Sequence, residues 1–266
     1  MRISSQYVVS RVVVALVLAG VMLAATVLPA SAQAAEGPWQ RLPAAAALLD
    51  GAAVQTRGLT LELPLVSEDG GAVPLSVSAD VPVDAIYLFA TRNPSPEIAV
   101  LRFHDAQIQP RVSTRVRVNE TQQVIALART PAGEWLATSR EIRITVSGCL
   151  ARSDGVAAAD EMNTRVRAPG PLRAGQTGEL LAMITHPMET GLRESANGAP
   201  APRRLIERVE IDYADTPAFE AELFAAVSAN PFLRLQLAPD AAGEVVIRWF
   251  EDAGRSAEAR EAVAMR

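Results

Sequence analysis

The chain has 266 residues, a formal net charge of −5 and only arginine among its basic side chains apart from two histidines. That acidic balance argues against sequence-independent nucleic-acid binding, which depends on neutralising phosphates with cations, and suits a soluble exported protein. A single cysteine excludes an internal disulfide, and the sequence has no phosphate loop, dinucleotide fingerprint or Gly-x-Ser-x-Gly elbow.

Residues 1–32 read as a cleaved signal peptide. Arg2 and Arg11 give a positive start, Val12 to Leu28 is apolar apart from Gly20 and Thr26, and Pro29 precedes the small triplet Ala30-Ser31-Ala32. Uncleaved, the run is long enough to span a bilayer, which takes roughly 20 residues; the small-residue exit favours cleavage and no stable span afterwards. There is no Arg-Arg pair, so the general secretory route to the periplasm is expected. Removal of the leader takes the charge from −5 to −7, since Arg2 and Arg11 are its only charges.

Pro43 followed by AAAALLD predicts a short helix with proline in its first turn. From Gly58 the pattern changes to short alternating runs: 59–65, 73–79, 85–91, 98–103, 113–118, 123–129, 134–139 and 141–146, with EDGG (68–71) and PAGE (131–134) as turns. Residues 150–163 are polar and small and read as a linker. A second alternating series covers 164–168, 178–188, 205–214, 219–224, 232–238 and 244–252, and Ala253-Gly254 reads as a hairpin turn returning through 256–264. By composition that last stretch also suits a helix. The expectation is all-β: two tandem β-sandwiches, residues 36–149 and 164–266, joined by the short linker.

Most polar candidates have an ordinary reading. His104 and His186 lack a second ligand at metal spacing and read as strand-end histidines. Asp69, Asp105 and Asp212 form no paired-carboxylate pattern, and Arg115, Arg117, Arg140 and Arg143 fit the solvated faces of half-buried strands. Neither a metal nor a cofactor is expected. Cys149 differs. A structural free cysteine sits within an apolar strand, whereas Cys149 follows Ser147-Gly148 at a strand end and precedes the polar stretch that starts at Leu150. An exposed thiol in an oxidising compartment is a liability unless it is used. Arg143 or Arg152 would lower its pKa or attract an oxyanion to it.

HPMETGLR (186–193) resembles the signature segment of SoxZ, and NPFLRLQL (230–237) resembles the matching SoxZ strand. GLTLELPLVSEDGGAVPLSVSA (58–79), IYLFATRNPSPEIAVLRF (86–103) and EIRITVSGC (141–149) are similar to SoxY. The chain thus resembles a SoxY–SoxZ fusion of the SoxYZ-like carrier type, which includes a group associated with quinoprotein dehydrogenases. The resemblance implies that both sandwiches are immunoglobulin-like and that the chain is a non-enzymatic periplasmic carrier, holding sulfur intermediates of thiosulfate-type oxidation covalently on Cys149. The implied partners are sulfur-oxidising enzymes, c-type cytochromes and, for the associated group, a quinoprotein dehydrogenase, with the two domains pairing within the chain. The alternative is an accessory or binding module of a quinoprotein dehydrogenase or cytochrome system; an intermolecular disulfide dimer is a third reading. The SoxY arm is Gly-Gly-Cys-Gly-Gly. Here Ser147-Gly148-Cys149-Leu150 keeps Gly148 alone, and the backbone continues into the second domain.

Overall fold

The computed structural model describes residues 36–146, 162–192 and 198–266. The leader (1–32) and the segment holding Ser147, Gly148, Cys149, Leu150 and Arg152 lie outside the described residues.

A 3₁₀ turn (Pro38–Gln40) leads into helix α1 (Pro43–Leu49), which carries proline at its first turn as predicted. The first half then supplies β1 (Val54–Gln55), β2 (Leu59–Glu62), β3 (Val66–Asp69), β4 (Val73–Ala79), β5 (Ala85–Ala90), β6 (Glu97–Phe103), β7 (Ile108–Val116), β8 (Gln122–Arg129) and β9 (Trp135–Val146). The second half supplies β10 (Thr164–Arg167), β11 (Gly178–Ile184), β12 (Ile206–Tyr213), β13 (Thr216–Leu223), β14 (Phe232–Leu237), β15 (Gly243–Glu251) and β16 (Ser256–Val263). The residues 256–264 pair as a hairpin strand with β15, because Ala257 and Ala259 meet Trp249 and Ile247 across the ladder.

Two runs expected as separate strands, 134–139 and 141–146, are one continuous strand β9, since Arg140 continues the pairing with β8 opposite Val124. β7 starts five residues earlier than the alternating run, at Ile108, and tolerates Pro110 at the shift in its pairing with β14. β3 occupies Val66–Asp69, where the sequence suggested chiefly a turn; it pairs parallel with the end of β9.

The all-β sandwich expectation holds, with one feature that periodicity does not reveal: both halves share both sheets. One ten-stranded sheet runs β1-β9-β8-β5-β6-β13-β12-β15-β16, with β3 also on β9, and a six-stranded sheet runs β10-β11-β14-β7-β4-β2. The seam is therefore ordinary antiparallel pairing, β6 with β13 and β7 with β14. One apolar core continues across it, with Leu61, Val77, Ile86 and Leu101 from the first half and Phe219, Ile211, Leu235 and Trp249 from the second.

At the seam Phe103 packs edge-on against Phe219, ring centroids 5.4 Å apart. Arg102 bonds both Glu220 and Glu222 at 3.1 Å. Half-exposed ion pairs of this kind contribute about 0.2–1 kcal/mol, whereas each fully buried large apolar side chain contributes about 1.5–3 kcal/mol. The shared core and the ladder hold the seam; the ion pairs fix its register.

A second, smaller cluster covers the outer face of the ten-stranded sheet. Trp39, Leu42 and Leu49 from the helical start pack on Phe89, Ile125, Leu127 and Trp135. β5 and β8 are thus buried on both faces, which is why AIYLFA and VIALA read as continuous apolar runs rather than as alternation.

Candidate functional site

The chain leaves the first half through the end of β9, and that end is held on both sides. Val66, Ser67 and Asp69 of β3 pair with Arg143, Ile144 and Val146, and the Arg143 amide donates to the Leu65 carbonyl at 3.0 Å. On the other side the Ile144 amide donates to the Thr121 hydroxyl at 3.0 Å. The fixed backbone therefore reaches Val146, three residues before Cys149 in sequence. Arg143 is exposed and forms no ion pair among the described residues. Beside this exit, Leu65 and Val66 leave 79% and 51% of their surface open.

The second polar cluster lies where the SoxZ-like signature folds. His186 is 1% exposed, and its Nε2 is 2.9 Å from Glu251 Oε1. Its Nδ1 accepts the Met188 amide at 3.1 Å. An Nδ1 that accepts cannot carry a proton, so Nε2 is the donor and the ring is neutral. Burial lowers the His186 pKa below its ordinary 6.5, outweighing the Glu251 carboxylate, which raises it.

Glu251 also accepts from Arg204 Nε at 3.2 Å and Arg255 Nε at 2.9 Å. Burial alone would push its carboxyl up; the bonds from His186 and Arg204 and the Arg255 charge hold it below the usual value. With both ring nitrogens of His186 buried and bonded, the cluster is a structural network. His186 is thus a satisfied core histidine rather than a base or ligand.

Arg117 corrects its solvated-face reading. Only 2% exposed, it donates to the carbonyls of Met188 (2.8 Å), Ala225 (3.2 Å) and Pro187 (3.3 Å). It lies one residue past the end of β7, where strand alternation no longer dictates direction. Met188 sits at φ +48°, a left-handed conformation unusual for a side chain of its size. Asp69 and Asp105 accept the amides of Gly71 and Gln107, and Asp212 pairs with Arg248 at 2.8 Å. Among the described residues no three His, Cys, Asp or Glu side chains cluster to hold a metal.

Sequence reading missed Glu251, Arg204 and Arg255. A signal existed: Val245, Ile247, Trp249 and Glu251 share the inward parity of β15, and a carboxylate at a core-facing position demands buried partners.

Two shared sheets define an immunoglobulin-like β-sandwich protein, whose lone cysteine follows the last residue of β9 by three positions in the sequence. The family described as sulfur oxidation protein SoxY matches residues 45–149, and the family described as sulphur oxidation protein SoxZ matches residues 166–262. The chain belongs to both families: it is a SoxY–SoxZ fusion. No curated protein sequence matches it. Among solved structures it is similar to the sulfur carrier protein SoxY from Chlorobium limicola f thiosulfatophilum, with 26% identity over 39% of this chain and 94% of that one, at a TM-score of 0.35. It is also similar to a superoxide reductase (neelaredoxin) from Ignicoccus hospitalis, with 16% identity over 44% of this chain and 90% of that one, at a TM-score of 0.31. Among the described residues no helix is long and apolar enough to cross a membrane.

Proposed function

We propose that this chain is a periplasmic covalent carrier of sulfur intermediates, with Cys149 as the attachment point. The observation that carries the reading is the end of the SoxY match on Cys149 itself, three residues after the last described residue of β9. A tether needs a rigid root and a thiol beyond it. β3 and Thr121 supply the root, and thiolates form and exchange sulfur–sulfur bonds readily.

In this reading residues 1–32 are the cleaved leader, 36–149 and 164–266 are the two paired domains, and 150–163 is the linker. Joining thiosulfate to the Cys149 thiolate forms one S–S bond and releases two electrons. The step therefore takes place on a partner containing an electron acceptor, the c-type cytochrome class that the SoxY resemblance implies. Hydrolysis of the adduct then releases sulfate and leaves a persulfide for a further oxidising partner. The carrier itself supplies the sulfur anchor and, through Arg143 and Arg152, positive charge near it. Fusion replaces a bimolecular association with an effectively high local concentration of each half for the other.

The comparison that tests the carrier role is Cys149→Ser against deletion of the whole protein in its host. A carrier requires that both abolish growth on, or oxidation of, a reduced sulfur donor. An unaffected Cys149→Ser strain beside a defective deletion strain instead identifies an accessory module of a quinoprotein dehydrogenase or cytochrome system.

A further inference from the structure

The solvent face of the six-stranded sheet carries a groove of about 330 Å³ that lies across the seam. Its floor is one row of cross-strand neighbours. Phe232 of β14 faces Met183 of β11, which faces Arg165 of β10. On the other side of Phe232 stands Arg115 of β7, whose guanidinium lies over the ring, 5.1 Å from its centroid. Adjacent strands are about 4.8 Å apart, so the stems of Arg115 and Arg165 are roughly 14 Å apart; the inward lean of Arg115 narrows that gap.

Charge sets this row apart from the next. Arg167 and Arg234, one row further along the same face, share Glu179 at 3.3 Å each. Among the described residues Arg115 and Arg165 have no carboxylate partner. Thr185 and Asn230 also line the groove. The Asn230 side-chain oxygen is already occupied, accepting the His186 amide at 3.1 Å, which leaves its NH₂ group as the available function. Two guanidiniums, an amide donor and a hydroxyl line the groove around a half-buried apolar floor, with no carboxylate in the lining among the described residues.

We infer that this groove is a binding site for a tetrahedral oxyanion of the sulfate and sulfonate class. Guanidiniums match such oxygens with paired, charge-assisted hydrogen bonds. The donor-rich lining favours an anion that is fully deprotonated at neutral pH, because a hydrogen phosphate P–OH would find no carboxylate there and would have to take the Thr185 hydroxyl as its side-chain acceptor. The floor excludes water from one side of the anion and strengthens those bonds. The site is formed by both halves, Arg115 from the first, Asn163 from the last position of the linker and the remaining residues from the second. The chain enters it through Asn163, 14 residues after Cys149. For its purpose the inference rests on the carrier reading, in which the adduct on Cys149 ends in a sulfonate. Binding of the free anion needs no thiol.

Calorimetric titration of the purified full chain carrying Cys149→Ser tests this separately from any covalent chemistry. Sulfate, thiosulfate and phosphate are titrated in turn at constant ionic strength. The expected result is saturable binding of one sulfate or thiosulfate per chain, weakened at least tenfold by Arg165→Gln and by Arg115→Gln at unchanged melting temperature. Arg167→Gln, which removes a guanidinium already paired with Glu179, leaves the affinity within twofold. Absence of saturable binding, an equal loss in Arg167→Gln, or tighter binding of phosphate than of sulfate overturns the inference. Because the thiol is absent throughout, a negative result here leaves the carrier reading standing, and failure of the carrier reading leaves this result unaffected.

Discussion

The guanidinium of Arg117 donates to the backbone carbonyl of Met188 at 2.8 Å, fastening the end of β7 to the segment that follows β11. The two residues are far apart in sequence and belong to different halves. Neighbouring bonds act at the same place: the Arg117 amide donates to the Ala226 carbonyl at 2.6 Å, and the Ser228 hydroxyl donates to the Gly71 carbonyl at 2.8 Å. Polar bonds in a dry seam hold the halves in one relative position, because each carbonyl left alone there would carry a desolvation cost.

Arg117→Met keeps much of the side-chain volume but removes the donors from the buried Met188 carbonyl and the part-buried carbonyls of Ala225 and Pro187. An unpaired buried acceptor costs about 1–3 kcal/mol, and the two part-buried carbonyls, which water can reach, cost less, so the expected loss is roughly 2–3 kcal/mol in unfolding free energy. Arg115→Met, two residues away on the open face, is expected to cost under about 1 kcal/mol. Denaturant unfolding of the two variants checks the contrast, and equal losses would refute the buried role of Arg117.

The His186–Glu251 network predicts sensitivity to acid. The folded-state pKa of His186 lies below its ordinary 6.5, so below that pH the unfolded chain binds a proton that the native state refuses. Stability is then lost as pH falls, by at most about 1.4 kcal/mol per pH unit for this one group. Glu251 works in the same direction. Its folded pKa is held below 4.5, so the stability it contributes is present above that value and is lost as pH falls through the folded pKa. Unfolding free energies at pH 7 and at about pH 5.5 test the His186 part. In His186→Gln the native state starts weaker, but the loss between the two pH values shrinks by the contribution of one proton.

Trp39 anchors the helical start on the outer face of the ten-stranded sheet, among Phe89, Ile125, Leu127 and Trp135. Trp39→Ala is expected to cost roughly 3–5 kcal/mol, the range for removing a buried aromatic side chain. Protease protection around residues 43–49 would fall with it. A loss below about 1 kcal/mol would show that α1 is not part of the cooperative fold.

Strand periodicity made most of the ladder legible, down to the run 73–79, which is β4 residue for residue. It failed where a proline interrupted a strand, at Pro110, and where two short runs were one strand, across Arg140. It also gave no sign that β6 would find β13, since pairing between strands over a hundred residues apart depends on edge exposure and core shape, which alternation does not encode. The same limit applies to the polar residues. Arg115 and Arg117 look alike in sequence, yet one leans over Phe232 on the surface and the other is buried in the seam. Cys149 stood out in the sequence through its isolation, and the SoxY match ends on it.

The carrier account is tested most directly by peptide mass spectrometry of the protein purified without reductant from its host during growth on thiosulfate. The account predicts a sulfur-containing adduct on the peptide holding Cys149, removed by reductant and missing from Cys149→Ser. A free, unmodified thiol at Cys149 under every sulfur donor supplied would contradict it.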